Sequence, residues 1–505
     1  MNKNNMEDIN VCNQQKQPNI LLITTDQHRL SGIGCYGNTP CQTPWIDSLA
    51  ERGVRFETAY TTCPVCTPAR ASIMTGLYPH AHGMSANIGE FGCLVHECVD
   101  RPALLSRRLK TAGYRLGYNG KYHLSSHKKI LFGLPNKPYE PADIGFDDVG
   151  AGTNDLYAKD PGFLNYLADN KIEIKKITEP HRTLPLPQNC TRIENSEEAT
   201  CSHYLTEHCL KILDSYKNLD QPFFLWHSFD GPHYPYTVPE SFYNMYKDVP
   251  IPQWKNFNWD GADQNFPYQM ALHPFYKSYT WEDWSETIRH YYAYCTLIDR
   301  QIGRILAFLE QNNLAENTVV IFTADHGESL GDHGGMKNKG WHHFESTHRI
   351  PLILTIPPPY QPQGYIPGSV KNDWASILDI FPTICSLAGA PYRNEDLHGM
   401  SLLSLFEKKE IKWRDKIFVE FNGVRNIGAN MLTFRHKNIK YGWNAGSRYE
   451  LYDLEKDPEE TINLADDPGY AKILHDMQVM LHDFLIEMKY PGENQFRHTR
   501  LDKAE

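Results

Sequence analysis

Apolar residues follow two rhythms along this chain. Short continuous runs alternate with stretches where apolar positions recur every three to four residues. The run Asn19–Thr25 has no polar alternation, as expected of a strand buried on both faces of a parallel sheet. Residues 223–226, 318–323 and 350–356 repeat that pattern, and residues 54–59 and 114–118 are shorter versions. Helical spacing over residues 44–52, 103–111 and 284–311 fills the intervals. Thr43 as N-cap and Pro44 at the first helical position open the first of these helices, and Gly53 closes it.

Strands alternating with helices predict an α/β class. The expected architecture is a large α/β/α domain at residues 19–404, built on a central mixed, mostly parallel sheet. Past residue 405 the texture changes. Residues 416–421, 431–435, 438–443 and 449–454 read as short antiparallel strands, and 472–488 as a closing amphipathic helix. A smaller C-terminal α+β domain with an antiparallel sheet is therefore expected at 405–505. Residues 1–18 are polar and predict a disordered leader. Residues 128–200 and 236–285 are rich in Pro, Asn, Tyr and Trp with weak periodicity, and predict long insertions on the scaffold.

The composition is that of a globular protein, with 41% hydrophobic and 22% charged residues in 505. The net charge of -11 argues against a general nucleic-acid binder. An anionic substrate would need a locally positive pocket. Twelve cysteines are scattered without the short spacings of a disulfide framework. The leader has no apolar h-region and no run is long enough to cross a bilayer. The expected location is cytoplasmic, with neither nucleic acid nor membrane as partner.

Candidate chemistry collects just after the predicted strands. Asp26-Gln27, Lys121 with His123, His233, and Asp325-His326 all fall there, and ligand sites in α/β sheets lie outside the carboxyl ends of strands. Asp26, Asp325 and the amide oxygen of Gln27 are hard donors that favour Ca²⁺ or Mg²⁺. The His326 nitrogen keeps Mn²⁺ and Zn²⁺ open. Asp325 could instead cap a helix. The most distinctive stretch is Cys66-Thr67-Pro68-Ala69-Arg70, with Thr75-Gly76 four residues on. Pro68 suits a first helical turn, and the helix N-terminus adds positive charge. Arg70 lies about one turn on and can direct its guanidinium back towards residue 66. The plain alternative is a buried thiol in a helix-start turn. Cys63 and Cys66 form a CxxC, but no second pair at zinc spacing accompanies them.

The stretch from Cys66 to Gly76 resembles the maturation and active-site signature of type I sulfatases in the alkaline phosphatase superfamily. Further segments carry the same resemblance: Cys35-Tyr36-Gly37, Gly120-Lys121-Tyr122-His123, Pro232-His233, Asp325-His326-Gly327-Glu328, Lys339 ahead of Phe344-Glu345-Ser346, and Glu450-Leu451-Tyr452-Asp453. The match covers most of residues 19–465 and fades in the two insertions.

The resemblance implies a sulfuric ester hydrolase. Cys66 would be oxidised to formylglycine by a maturase partner, and the hydrated aldehyde would be the nucleophile. Asp26, Gln27, Asp325 and His326, with residue 66, would hold one divalent metal, Ca²⁺ favoured. Arg70, Lys121 and Lys339 would stabilise charge on the transferring group. Lys339 or His233 would protonate the departing alcohol, and His123 would take the proton that regenerates the aldehyde. The substrate would be a small sulfate ester, with a sulfated saccharide foremost. Many members carry Asp and Asn where Gln27 and His326 stand. Those two residues also fit relatives that hydrolyse phosphonate monoesters and phosphodiesters. A silent binding protein that keeps Cys66 as a thiol is the remaining alternative. His127, His333, His342 and His343 are expected at the surface or behind the site, with His342 and Trp341 approaching substrate. Cys63 is expected as a neighbour of Cys66 and not its redox partner.

Overall fold

The computed structural model describes residues 17–37, 39–90, 92–125, 139–152, 159–177, 184–261, 266–407, 411–425 and 427–500. His127 and most of the expected leader lie outside these residues. Gln17 and Pro18 are within them and are tied down. The Gln17 amide donates to the carbonyls of Ala112 and Ala388, and the Pro18 carbonyl accepts from Tyr114 Oη at 2.7 Å.

The strands run β1 (Asn19–Thr25), β2 (Val54–Phe56), β3 (Ala59–Tyr60), β4 (Arg115–Gly120), β5 (Asp148–Val149), β6 (Cys190–Ile193), β7 (Phe223–Ser228), β8 (Tyr236–Pro239) and β9 (Thr318–Ala324). They continue as β10 (Arg349–Ile350), β11 (Leu352–Thr355), β12 (Val370–Lys371), β13 (Ala375–Ser376), β14 (Lys416–Val424), β15 (Ile427–His436), β16 (Ile439–Asn444) and β17 (Glu450–Asp453). Among the described residues an eight-stranded sheet has the order β12-β2-β11-β9-β1-β7-β4-β5. From β9 to β5 the pairs are parallel, and β11 enters antiparallel.

The unbroken apolar runs reflect this topology. Ile20 and Leu22 of β1 face one layer of helices, Leu21 and Ile23 the other, and all four are fully buried. On the first side lie the helices Cys66–Thr75, Leu105–Thr111 and Ile380–Ala388; on the second, Pro44–Arg52, Cys201–Tyr216 and Trp281–Gln311. Both faces are dry, so neither needs polar alternation.

Two predicted strands are divided. Residues 54–59 split into β2 in the central sheet and β3, which joins β10 and β13 in a three-stranded sheet. Residues 350–356 split at Pro351, which has no N–H to continue a ladder. The expected insertions contain elements of their own, including β6 and β8, which pair in parallel. The helices Cys201–Tyr216 and Ile380–Ala388 are additional to those expected. Thr43 stands at the N-cap of Pro44–Arg52, but its hydroxyl accepts from Gly34 N–H instead of capping. The N–H groups of Trp45 and Ile46 go to the Asp299 carboxylate of the long helix.

The C-terminal sheet is antiparallel in the order β14-β15-β16-β17, with the helix Ala471–Glu487 packed on it. Its first strand is stitched to both flanks of the helix Cys66–Thr75. Glu420 N–H donates to the Thr62 carbonyl at 2.9 Å, and the Glu420 carboxylate meets His80 Nδ1 at 2.8 Å.

Candidate active site

The carboxyl ends of β1, β4, β7 and β9 converge on the start of the helix Cys66–Thr75. Asp26 comes directly after β1, and its N–H donates to the Gly231 carbonyl in the loop after β7. Asp325 comes directly after β9, and its Oδ1 accepts the N–H groups of Gln27 and His326 at 3.1 and 2.9 Å. His326 Nδ1 lies 2.9 Å from the Gly327 carbonyl, so Nδ1 carries the hydrogen and Nε2 is left basic. That Nε2 is 3.4 Å from Cys66 Sγ.

Cys66 Sγ is also 3.7 Å from Asp26 Oδ1, 2.7 Å from Lys339 Nζ and 3.9 Å from Lys121 Nζ. Donor atoms of Asp26, Cys66, Asp325 and His326 all lie within 4.8 Å of one another and are buried.

Arg70 lies under this cluster and does not reach the thiol as the helical spacing suggested. Nε donates to Asp325 at 3.0 Å and Nη2 to Asp26 at 3.2 Å, while Nη1 donates to the Lys121 carbonyl and to Ser228 Oγ. A guanidinium is needed because its fixed fork serves four acceptors at once. Lys121 Nζ adds a second cation 2.9 Å from Asp26.

Burial alone would raise the Asp26 pKa, but Lys121, Lys339, His233 and Arg70 hold it well below the usual carboxylate range. Burial works against the Lys339 ammonium, yet Cys66 and Asp26 beside it keep its pKa raised. His326 is held low by burial, and His233 well below its ordinary value by burial and then by Lys339. The centre thus gathers two carboxylates, neutral imidazoles and three fixed cations.

A divalent cation fits these residues. The Gln27 Oε1 atom is buried without a hydrogen-bond partner among the described residues, directly after Asp26 in the chain. Its Nε2 is held by the fully buried Glu328 carboxylate. Glu328 also accepts from Gln188 Nε2 and from the N–H groups of Leu330 and Asn338. Gln27 itself sits at φ 61°, a left-handed conformation held by these contacts.

The remaining expected residues surround the centre. Gly120 at the end of β4 has φ +94°, and a Cβ there would lie 1.8 Å from the Ser228 carbonyl oxygen. Only glycine allows that approach, which lets the same carbonyl accept Lys121 N–H. His123 is buried, with φ 50°, and its carbonyl accepts from Thr67 Oγ1 in the first turn of the Cys66 helix. His233 is half-buried and stacks on Tyr234 with centroids 4.7 Å apart.

Of the two places expected for His333, His342 and His343, the surface and behind the site, all three take the buried one. His333 stacks on Phe344, His342 meets Ser329 Oγ, and His343 reaches Thr433 and Asn444 of the C-terminal sheet. Trp341 is buried against Phe421. The segment carrying these residues is covered by β14 to β16, which the local sequence does not reveal. Sequence reasoning gave no role to Ser228 or Glu328. Glu328 was visible only as the last residue of the Asp325-His326-Gly327-Glu328 motif.

A cysteine-bearing helix facing a carboxylate pair, a histidine and lysines at the edge of this sheet suits the binding of an anionic ester. The chain belongs to the sulfatase family: the Sulfatase family model matches residues 18–390, and a model described as N-sulphoglucosamine sulphohydrolase, C-terminal, matches residues 331–487. It is therefore a sulfuric ester hydrolase of the alkaline phosphatase superfamily. It is 30% identical to the uncharacterized sulfatase YidJ of Escherichia coli (strain K12), over 94% of this chain and 88% of that protein. It is 25% identical to an N-acetylglucosamine-6-O-sulfatase of Bacteroides thetaiotaomicron, over 93% and 86%. Among solved structures, the phosphonate monoester hydrolase of Agrobacterium radiobacter superposes with a TM-score of 0.73 at 25% identity, over 94% and 95%. No described helix is long and apolar enough to cross a membrane.

Proposed function

We propose that the chain hydrolyses the sulfate ester of a sulfated saccharide, using a formylglycine made from Cys66 and one divalent cation, Ca²⁺ first among the candidates. The observation that carries this reading is the meeting of Asp26, Cys66, Asp325 and His326 donor atoms within 4.8 Å, with Lys339 Nζ 2.7 Å from the sulfur. The likeness to an N-acetylglucosamine-6-O-sulfatase supports the saccharide.

Asp26, Gln27, Asp325 and His326, with residue 66, would hold the cation, which supplies Lewis-acid polarisation and lowers the pKa of an oxygen nucleophile. A hydrated formylglycine supplies two geminal hydroxyls, one to attack and one to release the group afterwards. The other side chains bind and move protons. Lys121 and Lys339 bind sulfate oxygens and offset their charge, while Arg70 holds both carboxylates in place. Lys339 or His233 holds the proton for the departing alcohol. The raised Lys339 and the lowered His233 favour Lys339 Nζ. His123 takes the proton from the residue-66 hydroxyl that is left.

The test uses protein co-produced with a formylglycine-generating maturase. Its intact mass is expected about 18 Da below that of the cysteine form. Sulfate release from a 6-sulfated hexosamine is expected, and Cys66→Ala abolishes it. Release retained by Cys66→Ala overturns the mechanism.

A second reading, a phosphonate monoester or phosphodiester hydrolase, is favoured by Gln27 and His326 and by the likeness to the Agrobacterium enzyme. Comparing kcat/KM for an aryl sulfate and a phenylphosphonate monoester decides between them. A clear preference for the phosphonate would replace the sulfatase reading.

A further inference from the structure

Two side-chain amides meet at the Glu328 carboxylate, that of Gln27 and that of Gln188. Gln188 lies just ahead of β6, in a stretch expected as an insertion. The short parallel ribbon that follows fixes its place. Cys190 of β6 pairs with Tyr236 of β8, and the Asn189 carbonyl accepts the Tyr236 N–H at 2.8 Å. Gln188 therefore stands beside the Tyr236 side chain, and both residues are buried.

Chemistry assigns the polar atoms. A carboxylate can only accept, so Gln188 must turn Nε2 to Glu328 Oε1, at 3.0 Å, and its own Oε1 away. The Tyr236 hydroxyl has one hydrogen and two acceptors in reach: Gln188 Oε1 at 3.1 Å and Glu328 Oε2 at 3.4 Å. Glu328 Oε2 is also the oxygen that takes the Nε2–H of Gln27. While Gln188 holds the Tyr236 hydrogen, that oxygen is left to Gln27. Without the Gln188 amide, the Tyr236 hydrogen turns to Oε2 and competes with Gln27 for it. The backbone of Gln27 is tied to the same aromatic pair. Tyr236 meets Tyr291 edge-on with centroids 5.4 Å apart, and Tyr291 Oη donates to the Gln27 carbonyl at 2.9 Å.

We propose that Gln188 is a positioning residue for the candidate cation centre: with Tyr236 it fixes the Glu328 carboxylate, which in turn leaves Gln27 Oε1 to the cation. A segment far from the Cys66 signature thereby sets how tightly the ion is held. The proposal rests on the reading of one divalent cation held in part by Gln27, and its test separates the two.

Ca²⁺ affinity of the metal-depleted, matured protein is measured by calorimetry, so the readout needs no turnover. Gln188→Met keeps the volume and removes both polar atoms. It is expected to weaken Ca²⁺ binding about tenfold, the lower end of the scale for partners behind a ligand, while the melting temperature of the metal-free protein stays close to wild type. Tyr236→Phe, which removes the competing hydrogen, is expected to restore most of that affinity in the Gln188→Met background. In a Gln27→Ala background Gln188→Met is expected to change the affinity less than twofold, because the residue through which it acts is gone. Affinity within twofold of wild type for Gln188→Met, or an equal loss with and without Gln27, overturns the positioning role. A wild-type protein that binds no Ca²⁺, or a Gln27→Ala variant that binds it as wild type does, overturns the cation reading beneath it.

Discussion

The Glu328 carboxylate accepts the Nε2–H of Gln27, and so decides which end of that amide is left for the candidate metal centre. A carboxylate can only accept, so the amide nitrogen must face it and Oε1 must turn away. That oxygen is buried and unpartnered among the described residues. The same carboxylate takes the Asn338 N–H at 2.7 Å, one residue before Lys339. One side chain therefore fixes a candidate ligand and a candidate acid together. Glu328→Gln is expected to weaken Ca²⁺ affinity roughly ten- to hundredfold, since partners behind a ligand act on that scale. Calorimetry on the folded variant checks this, and an affinity within twofold of wild type would free Gln27 from the cation site.

Arg70 is the counter-charge for two carboxylates that are wholly buried. Arg70→Ala is expected to cost about 3 kcal/mol or more, the scale for breaking a buried ion pair from one side. Millimolar Ca²⁺ should restore part of the loss, because an ion that binds only the folded state stabilises it. Thermal melts with and without Ca²⁺ read both effects. An unchanged melting temperature without divalent ion would contradict this account.

Gly120→Ala places a methyl group 1.8 Å from the Ser228 oxygen at φ +94°. The backbone must move, taking with it the Ser228 contacts to Arg70 and Lys121. A loss of about 2–4 kcal/mol is expected in urea melts, together with a fall in kcat. Gly113→Ala is the control. Its φ is +86°, but nothing lies within 4 Å of the added carbon, so only about 1–2 kcal/mol of backbone strain is expected.

Burial lowers the pKa values of His82 and His227 to about 3 and that of His28 to about 4. In the unfolded chain they titrate near 6.5, so below about pH 6.5 the unfolded state takes up protons that the fold refuses. Their effect is absent above that pH and destabilises progressively as the pH falls towards 4. Asp299 acts in the opposite sense. Burial pushes its carboxyl up to about 7, so the fold binds a proton there that the unfolded chain refuses until about pH 4. Melts from pH 7.5 to 5 should therefore decline less steeply for His227→Gln and more steeply for Asp299→Asn. Equal slopes for both variants and the wild type would refute the assignment.

Much of this site was legible because its residues sit where local rules speak. A run such as Asn19–Thr25 must be buried on both faces, and the residues directly after it must lie at the sheet edge where ligands collect. Asp26, Lys121, His233 and Asp325 were singled out that way, and Cys66 by the spaced signature running from it to Gly76. Glu328 was not assigned a role, because a buried carboxylate ringed by donors looks locally like any Glu. The burial of His342 and Trp341 was not legible, because it depends on strands some 80 residues later.

By itself the sequence determined the alternating α/β order, the antiparallel C-terminal portion and the identity of the charged groups after each strand. These depend on periodicity and on turn chemistry, which act over a few residues. Only the tertiary structure decided that Arg70 serves the carboxylates instead of residue 66, that Glu328 orients Gln27, and that Arg425 reaches the Tyr234 hydroxyl. Each of those depends on which distant backbones come within hydrogen-bond reach, and that distance is set by packing the sheet and its two helix layers as a whole.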